Sequence, residues 1–450
     1  MSDPEPAAAR ALDERALQSL VIELREASLR SGRRLRDVLG EVLPQRELGA
    51  ADRRLAARRC YRVLQQERRL DFALEGAIRG RGPGRSPPLE LREAARYVAA
   101  LLLDGEIDVD EAGRRLPRID WSFVAEAELR IARARDADTR FGLTWSIPDW
   151  LAARFRAEFG DEAAAIAASL NEEPPLTLRA NLLKVASREA LAHALAEEGV
   201  PTRPTAFAPH GLVALGAITL FSSRAFQSGA FEQQDEASQL GCLVVAPPPR
   251  GRVLDACAGA GGKTLALSAA LANQGEVLAI DPNERRLASL VERRRRAGTA
   301  NVRSLAVAED SWPDAVTSFA RSADRILLDV PCSGIGSWRR RPDARWSLRP
   351  SSLENLQATQ AMLLERALAC LAPGARLVYS TCTLFADENE RQVERVLARD
   401  ATLELVRVAE ILGTAAAAPI TDASGTVLRL LPHRHATDGF FAAVIRRRRR

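Results

Sequence analysis

Two cysteines stand just past apolar, β-like runs in this chain of 450 residues. Cys332 closes the stretch Asp329-Val330-Pro331-Cys332-Ser333-Gly334, after Arg325 to Val330. Cys382 sits in Tyr379-Ser380-Thr381-Cys382-Thr383, after Leu377 to Ser380. A thiolate can form and break a covalent bond within one turnover. Free cysteines are more often inert packing residues, and Cys60, Cys242 and Cys370 read that way. Two in consecutive strand-end loops, one preceded by an acid, read as chemistry. Ligands of open α/β sheets bind beyond the carboxyl ends of the strands, so both thiols face one cleft.

A second constellation lies upstream. Val253-Leu254-Asp255-Ala256-Cys257-Ala258-Gly259-Ala260-Gly261-Gly262-Lys263-Thr264 reads as a strand, a glycine-rich turn and a helix. Glycines there let backbone approach a ligand closely. Asp281 ends the next strand, 22 residues after Gly259, where an acid accepts from ribose hydroxyls. A phosphate-binding P-loop fails, because position 257 is Cys and not Gly. A dinucleotide loop fails too, because Thr264 stands where the third glycine belongs. A nucleoside cofactor without a pyrophosphate, S-adenosylmethionine, needs the same bend and the same acid. Asp310, after the third strand, is placed for the adenine amine. Of 64 basic residues only Lys184 and Lys263 are lysines, so Lys263 is a candidate for a role a guanidinium cannot fill.

A methyl donor beside thiols points to carbon 5 of a pyrimidine. That carbon is a poor nucleophile until a thiolate adds to carbon 6 and makes it enamine-like. Asp329 is placed to hydrogen-bond N3 and N4 of a cytosine. The base must leave its stack to enter the cleft. The residues alone leave open which thiol attacks.

The surrounding elements follow from periodicity. Residues 1–140 read as all-α, with apolar residues at helical spacing in Ala16 to Leu24 and Leu55 to Leu64. The stretch 80–88 is a Gly- and Pro-rich breaker. Residues 141–240 read as a small α/β module, with a strand at Leu176 to Leu183 and short runs at Leu212 to Leu215 and Ile218 to Phe221. Residues 241–450 alternate β and α, which implies a parallel sheet with helices on both faces. The net charge of +5 is mild, but basic islands lie at 52–85, 285–303, 339–349 and 446–450. Such islands suit RNA phosphates, and Trp338 and Trp346 beside the third suit stacking on unpaired bases. Charges interrupt every apolar stretch before membrane-spanning length, the first ten residues lack a signal-peptide core, and no CxxC pair has metal spacing. A cytoplasmic monomer without a metal, contacting neither DNA nor membrane, is expected.

The motifs together resemble the RsmB/NOP (Sun) family of RNA cytosine-5 methyltransferases. The likeness rests on Asp255 to Thr264, Pro331-Cys332, Arg339 to Trp346 and Ser380 to Thr383. Gln234 to Leu240, Arg179 to Lys184 and Thr437 to Phe441 add to it. The resemblance implies a Rossmann-like S-adenosylmethionine-dependent domain acting on RNA, with 16S rRNA the expected target. It implies that Cys382 is the nucleophile and that Cys332 helps release the covalent adduct, with Asp329 and Lys263 beside them. It places cofactor contacts on Cys257, Ala258, Gly259, Ala260, Gly261, Gly262, Lys263, Asp281, Asp310 and Asp329. Asp52 to Ala56 and Arg68 to Asp71 resemble a NusB-like RNA-binding domain. The loop departs from the family's 16S enzymes, since Ala258-Gly259-Ala260 stands where they carry Ala-Ala-Pro. A tRNA or 23S rRNA substrate, or a non-catalytic ribosome-assembly factor, is the alternative.

Overall fold

The computed structural model describes residues 12–77, 88–215 and 220–448. Most of the breaker at 80–88, part of the run Ile218 to Phe221 and the last two arginines lie outside them. Among the described residues no helix is long and apolar enough to cross a membrane. The chain divides into two units.

The first unit holds the helices from Glu14–Ser31 to Ala163–Ser169, together with Arg341–Ser347. Local chemistry sets the helix ends. Asp13 accepts from the Ala16 N–H at 2.8 Å, and Gly32 turns the chain left-handed at φ 64°. Leu17, Leu20, Val21 and Leu24 then fall on one buried face. The helix Leu89–Leu103 is buried along most of its length and carries charge into the core. Glu93 is fully enclosed; it accepts from Arg25 Nε at 2.6 Å and from Arg96 at 2.7 Å, while Arg96 also grips Asp71.

The segment Arg341–Ser347 belongs to this helical unit through two side chains. The buried Arg345 guanidinium donates to the carbonyls of Gln65 and Ser146, both at 3.2 Å. The Trp346 indole N–H donates to the Leu64 carbonyl at 3.0 Å.

The second unit, Glu172–Arg340 and Leu348–Arg450, contains two sheets. Strands β1 (Leu176–Ala180), β2 (Thr202–Pro204), β3 (Gly211–Ala214) and β4 (Phe231–Gln233) form an antiparallel sheet in the order β2-β3-β1-β4. The helix Arg188–Glu197 packs on it, capped by Ser187, which accepts from the Ala190 N–H at 3.2 Å. The larger sheet is built from β5 (Arg252–Asp255), β6 (Glu276–Asp281), β7 (Val302–Ala306), β8 (Arg325–Asp329), β9 (Arg376–Thr381), β10 (Leu403–Val406), β11 (Leu428–Leu430) and β12 (Phe440–Arg447). Its order is β10-β12-β9-β8-β5-β6-β7, with β11 also on β12. The five strands from β9 to β7 run parallel and β12 runs antiparallel.

This is the Rossmann-like α/β architecture expected of the last two hundred residues. The chain winds outward from β5 through β6 to β7, then returns to the other side of β5 as β8. A crevice opens where winding reverses, beyond the carboxyl ends of the strands. Asp255, Asp281, Asp329 and Thr381 each end a strand there.

Glu93→Ala tests the buried network that carries the helical unit. Removing one carboxylate leaves two enclosed guanidinium groups short of a partner, at a cost of about 3–5 kcal/mol. Urea unfolding followed by circular dichroism should show an early transition for the helical unit. An unchanged curve would contradict this account.

Candidate active site

The glycine loop is held open by its neighbours. Gly261 caps the helix Gly262–Ala270 at φ 83°, and a side chain there would strike Leu290. Gly259, at φ 55°, faces open space instead, so the backbone is bare on that side. Arg293 donates to the Ala260 carbonyl at 2.7 Å, and Arg179 donates to the Gly262 carbonyl at 2.9 Å. Asp281 accepts from the Gly259 N–H at 2.8 Å and the Asn283 N–H at 2.9 Å, one on each oxygen. A carboxylate has further lone pairs to offer, so Asp281 stays able to accept from a ligand.

Beneath the loop the field is negative. Asp255 is fully buried and accepts from the Thr264 hydroxyl at 2.7 Å. Burial pushes its carboxyl up to about 7, helped by the charge of Asp329 and opposed by the Thr264 bond. The Cys257 thiol is pushed far above its ordinary range, first by burial and then by Asp255, Asp329, Asp281 and Glu309. That is a structural role for Cys257, since a thiol held neutral is a poor nucleophile.

Lys263 answers part of that charge. Its Nζ lies 2.6 Å from Asp329 Oδ2, and the Ser380 hydroxyl donates to Asp329 Oδ1 at 3.2 Å. Burial works against the ammonium, but Asp329 outweighs it and holds Lys263 well above the ordinary lysine range.

The two strand-end cysteines meet. Cys332 Sγ and Cys382 Sγ are 3.4 Å apart, both partly exposed. A proton between them settles both. Either sulfur could donate by geometry; the bond lowers Cys382, with Lys263 helping against burial and Asp329. Cys332 moves up well above the ordinary range through the same bond, through burial, and through the charges of Cys382 and Glu388. Cys382 is therefore the better thiolate of the pair.

A cavity of about 340 Å³ opens onto Cys382, with Cys332 behind it and off the cavity wall. It is lined by Cys257, Ala258, Gly262, Lys263, Asp329 and Cys382 from the expected set. Gly259, Ala260, Gly261 and Asp281 sit in the adjoining loop and strand end. Asp310 does not join them along the cavity wall; it is exposed, its carbonyl held by Arg366. Glu309, unmarked in the sequence reading, instead acts on Cys257.

Two further lining residues lie in segments that carry the likeness but were given no role there. Asp235, in Gln234 to Leu240, and Asp438, in Thr437 to Phe441, are 203 residues apart, and the Asp438 N–H donates to Asp235 at 3.1 Å. Arg339 and Arg340 bind this pair: Arg339 reaches Asp438 at 2.7 Å, and Arg340 reaches Asp438 at 2.9 Å and Asp235 at 2.7 Å.

This corrects the reading of the third basic island as a solvent-facing surface for RNA. Trp338 and Arg345 are fully buried and Arg339 nearly so. Guanidinium groups taken out of water need carboxylates or carbonyls, and these have them. In the first island Arg59, Arg62, Arg68 and Arg69 pair with Glu106, Asp104, Asp149 and Glu128 inside the helical unit.

Residues 242–446 match the model of 16S rRNA methyltransferase RsmB/F, and residues 147–219 match its ferredoxin-like domain. The ribosomal RNA small subunit methyltransferase B of Xanthomonas campestris is 31% identical over 428 residues, covering 92% of this chain and 93% of that protein. The chain belongs to the RsmB/F family of 16S rRNA methyltransferases. Among solved structures, a methyltransferase homolog from Pyrococcus horikoshii is 27% identical with a TM-score of 0.60, over 70% of this chain and all of its own. NSun6 from Pyrococcus horikoshii, solved with the S-adenosylmethionine analogue SFG, is 25% identical with a TM-score of 0.55 over 66% of this chain and 97% of its own.

S-adenosylmethionine is the cofactor of this RsmB/F member. The residues fit it. A cationic sulfonium and ammonium suit the carboxylates around Cys257, and the bare face of Gly259 leaves room for the ligand.

Asp255 gives a pH signature. Its carboxyl moves from 3.8 to about 7, so the folded chain keeps a proton that the unfolded chain releases. The resulting stability is full below about pH 4 and is lost as pH rises through 7. Asp255→Asn should lose less stability than the parent between those values, read as melting temperature against pH. Parallel curves would overturn the assignment.

Proposed function

We propose that the chain methylates carbon 5 of a cytosine in 16S rRNA through a covalent adduct on Cys382. The observation that carries this reading is Cys382 on the wall of a cavity large enough for a base, beside the Lys263–Asp329 ion pair and 3.4 Å from the Cys332 thiol. A lone nucleophile would need one thiol. Two, sharing one proton, suit a reaction in which a thiolate must first add and later leave.

S-adenosylmethionine, when bound, supplies an electrophilic methyl group. The residues do the rest. The Cys382 thiolate adds to carbon 6, and the electrons of the 5,6 double bond pass to carbon 5, which would take the methyl as the sulfonium carbon–sulfur bond breaks and a neutral thioether is left. Asp329 accepts from the N4 amine, and the Lys263 ammonium 2.6 Å from Asp329 offsets the negative charge that addition pushes onto the ring. The adduct then gives up its carbon 5 proton to solvent, that electron pair re-forms the 5,6 double bond, and the bond from carbon 6 to Cys382 Sγ breaks. The sulfur leaves as a thiolate, met by a hydrogen bond from Cys332, so the starting pair is restored. Cys257, Ala258, Gly259, Ala260, Gly261, Gly262, Asp281 and Asp310 are the proposed cofactor contacts, with Lys263 fixing Asp329.

Cys382→Ala should abolish methyl transfer to small-subunit rRNA, read as 5-methylcytosine by mass spectrometry. Cys332→Ala should still form the adduct but release it slowly, so a protein–RNA band persists on denaturing gels. Normal turnover by Cys382→Ala would sink the nucleophile assignment. Bisulfite sequencing of a deletion strain beside its parent tests the target: loss of a 16S mark supports it, and loss of a tRNA or 23S mark instead overturns it.

A further inference from the structure

Glu388 plays no part in the chemistry above, yet it is fully enclosed six residues past Cys382, in the short turn Ala386–Glu388. Its Oε1 accepts from the Ser333 N–H at 2.8 Å and from Gln360 Nε2 at 3.0 Å. Its Oε2 accepts from the hydroxyls of Ser333 at 2.6 Å and Thr383 at 3.0 Å. Ser333 follows Cys332 in the chain and Thr383 follows Cys382. We propose that Glu388 is a positioning residue that holds the two thiol loops in register and keeps their shared proton on Cys332. This rests on the reading of Cys382 and Cys332 as partners in one reaction.

The geometry is over-determined around Cys332. Gln360 spends its other amide N–H on the Pro331 carbonyl at 2.9 Å, so the residues before and after Cys332 are both fixed. The hydroxyls of Ser333 and Thr383 also lie 2.7 Å apart. Two hydroxyl protons face three short approaches, so only two are hydrogen bonds at once, and Glu388 Oε2 has the lone pairs to accept both. Asn389 extends the clamp, donating to the Thr383 carbonyl at 3.3 Å and accepting from the Thr381 hydroxyl at 2.5 Å. Both cysteine loops hang from adjacent residues of one turn.

The charge adds direction. An enclosed carboxylate is costly, and apolar packing would fill the same space at less cost. What an apolar side chain lacks is a negative charge on the Cys332 side. That charge disfavours a second one on Cys332, whose thiol is already raised by its bond to Cys382 and by burial. On the other side Cys382 faces Lys263.

The test uses the full chain with iodoacetamide over a pH series, and counts label on each cysteine peptide by mass spectrometry. The parent should label Cys382 ahead of Cys332. Glu388→Gln keeps the shape, removes the charge and sets an amide N–H against Ser333. It should cut the preference for Cys382 by about tenfold, while S-adenosylmethionine binding by calorimetry is unchanged. Glu388→Asp should restore part of the preference. A lower melting temperature with the preference intact would mean a merely structural residue and overturn the proposal. If Glu388→Gln does not fold, Ser333→Ala with Thr383→Val frees both loops from the carboxylate; an unchanged preference there overturns it equally. Labelling needs neither RNA nor turnover, so its outcome is separate from whether the chain methylates cytosine.

Discussion

The Lys263–Asp329 ion pair is the interaction on which the site depends. It joins the glycine loop after β5 to the end of β8, across the point where the sheet reverses its winding. Without that ammonium, Asp255, Asp281, Glu309 and Asp329 would converge on one enclosed region with little to balance them. Like charges in a shared low-dielectric space repel strongly, and such a cluster relaxes by taking up protons or moving apart. Lys263 keeps Asp329 in place and also lends its charge to Cys382. A compact ammonium on a flexible stem can serve both; a planar fork would be bound to one orientation. The chain has 62 arginines and two lysines, yet keeps a lysine at this position.

Elsewhere arginine does what lysine could not. Arg339 and Arg340 each have several donors in a fixed plane, and between them they bind Asp235 and Asp438. Those acids come from the segments before the helix Glu236–Leu243 and before β12. Arg340 also donates to the Pro175 carbonyl at 3.1 Å, at the entrance to β1. The small sheet, the methyltransferase sheet and the loop after β8 are therefore tied at one knot beside the cavity. Arg179 and Arg293 do the same for the glycine loop through its carbonyls.

What the sequence shows and what it hides follow from the range of the interactions. The glycine loop, the strand-end acids and both cysteines are legible because each is read against a local strand or turn. The β/α alternation from β5 to β9 is legible because those strands are short apolar runs between helical stretches. β10 and β11 are not, being four and three residues long with Glu404 and Arg429 inside them. The arginine loop misleads because its partners lie about a hundred residues away. Charge runs with no acid nearby look solvated whether or not distant acids neutralise them. Glu388 hides for the same reason: Asp387-Glu388-Asn389-Glu390 looks like an exposed acidic turn, and only the fold encloses one member of it.

On the mechanism proposed above, the paired thiols answer a problem of direction. A thiolate that adds readily to carbon 6 must also leave readily, so it cannot be stabilised without limit. A neighbouring thiol at 3.4 Å stabilises the free thiolate through a hydrogen bond and remains as the nearest hydrogen-bond donor when the sulfur departs. That arrangement works only if the pair is asymmetric. Were the two sulfurs equivalent, half the molecules would present the anion on the wrong one. The site breaks the symmetry with two charges of opposite sign: Lys263 acts on Cys382, and Glu388 acts on Cys332. Both charges are fixed by hydrogen bonds to the strand-end segments that carry the thiols, so the polarity of the pair is built into the loops themselves.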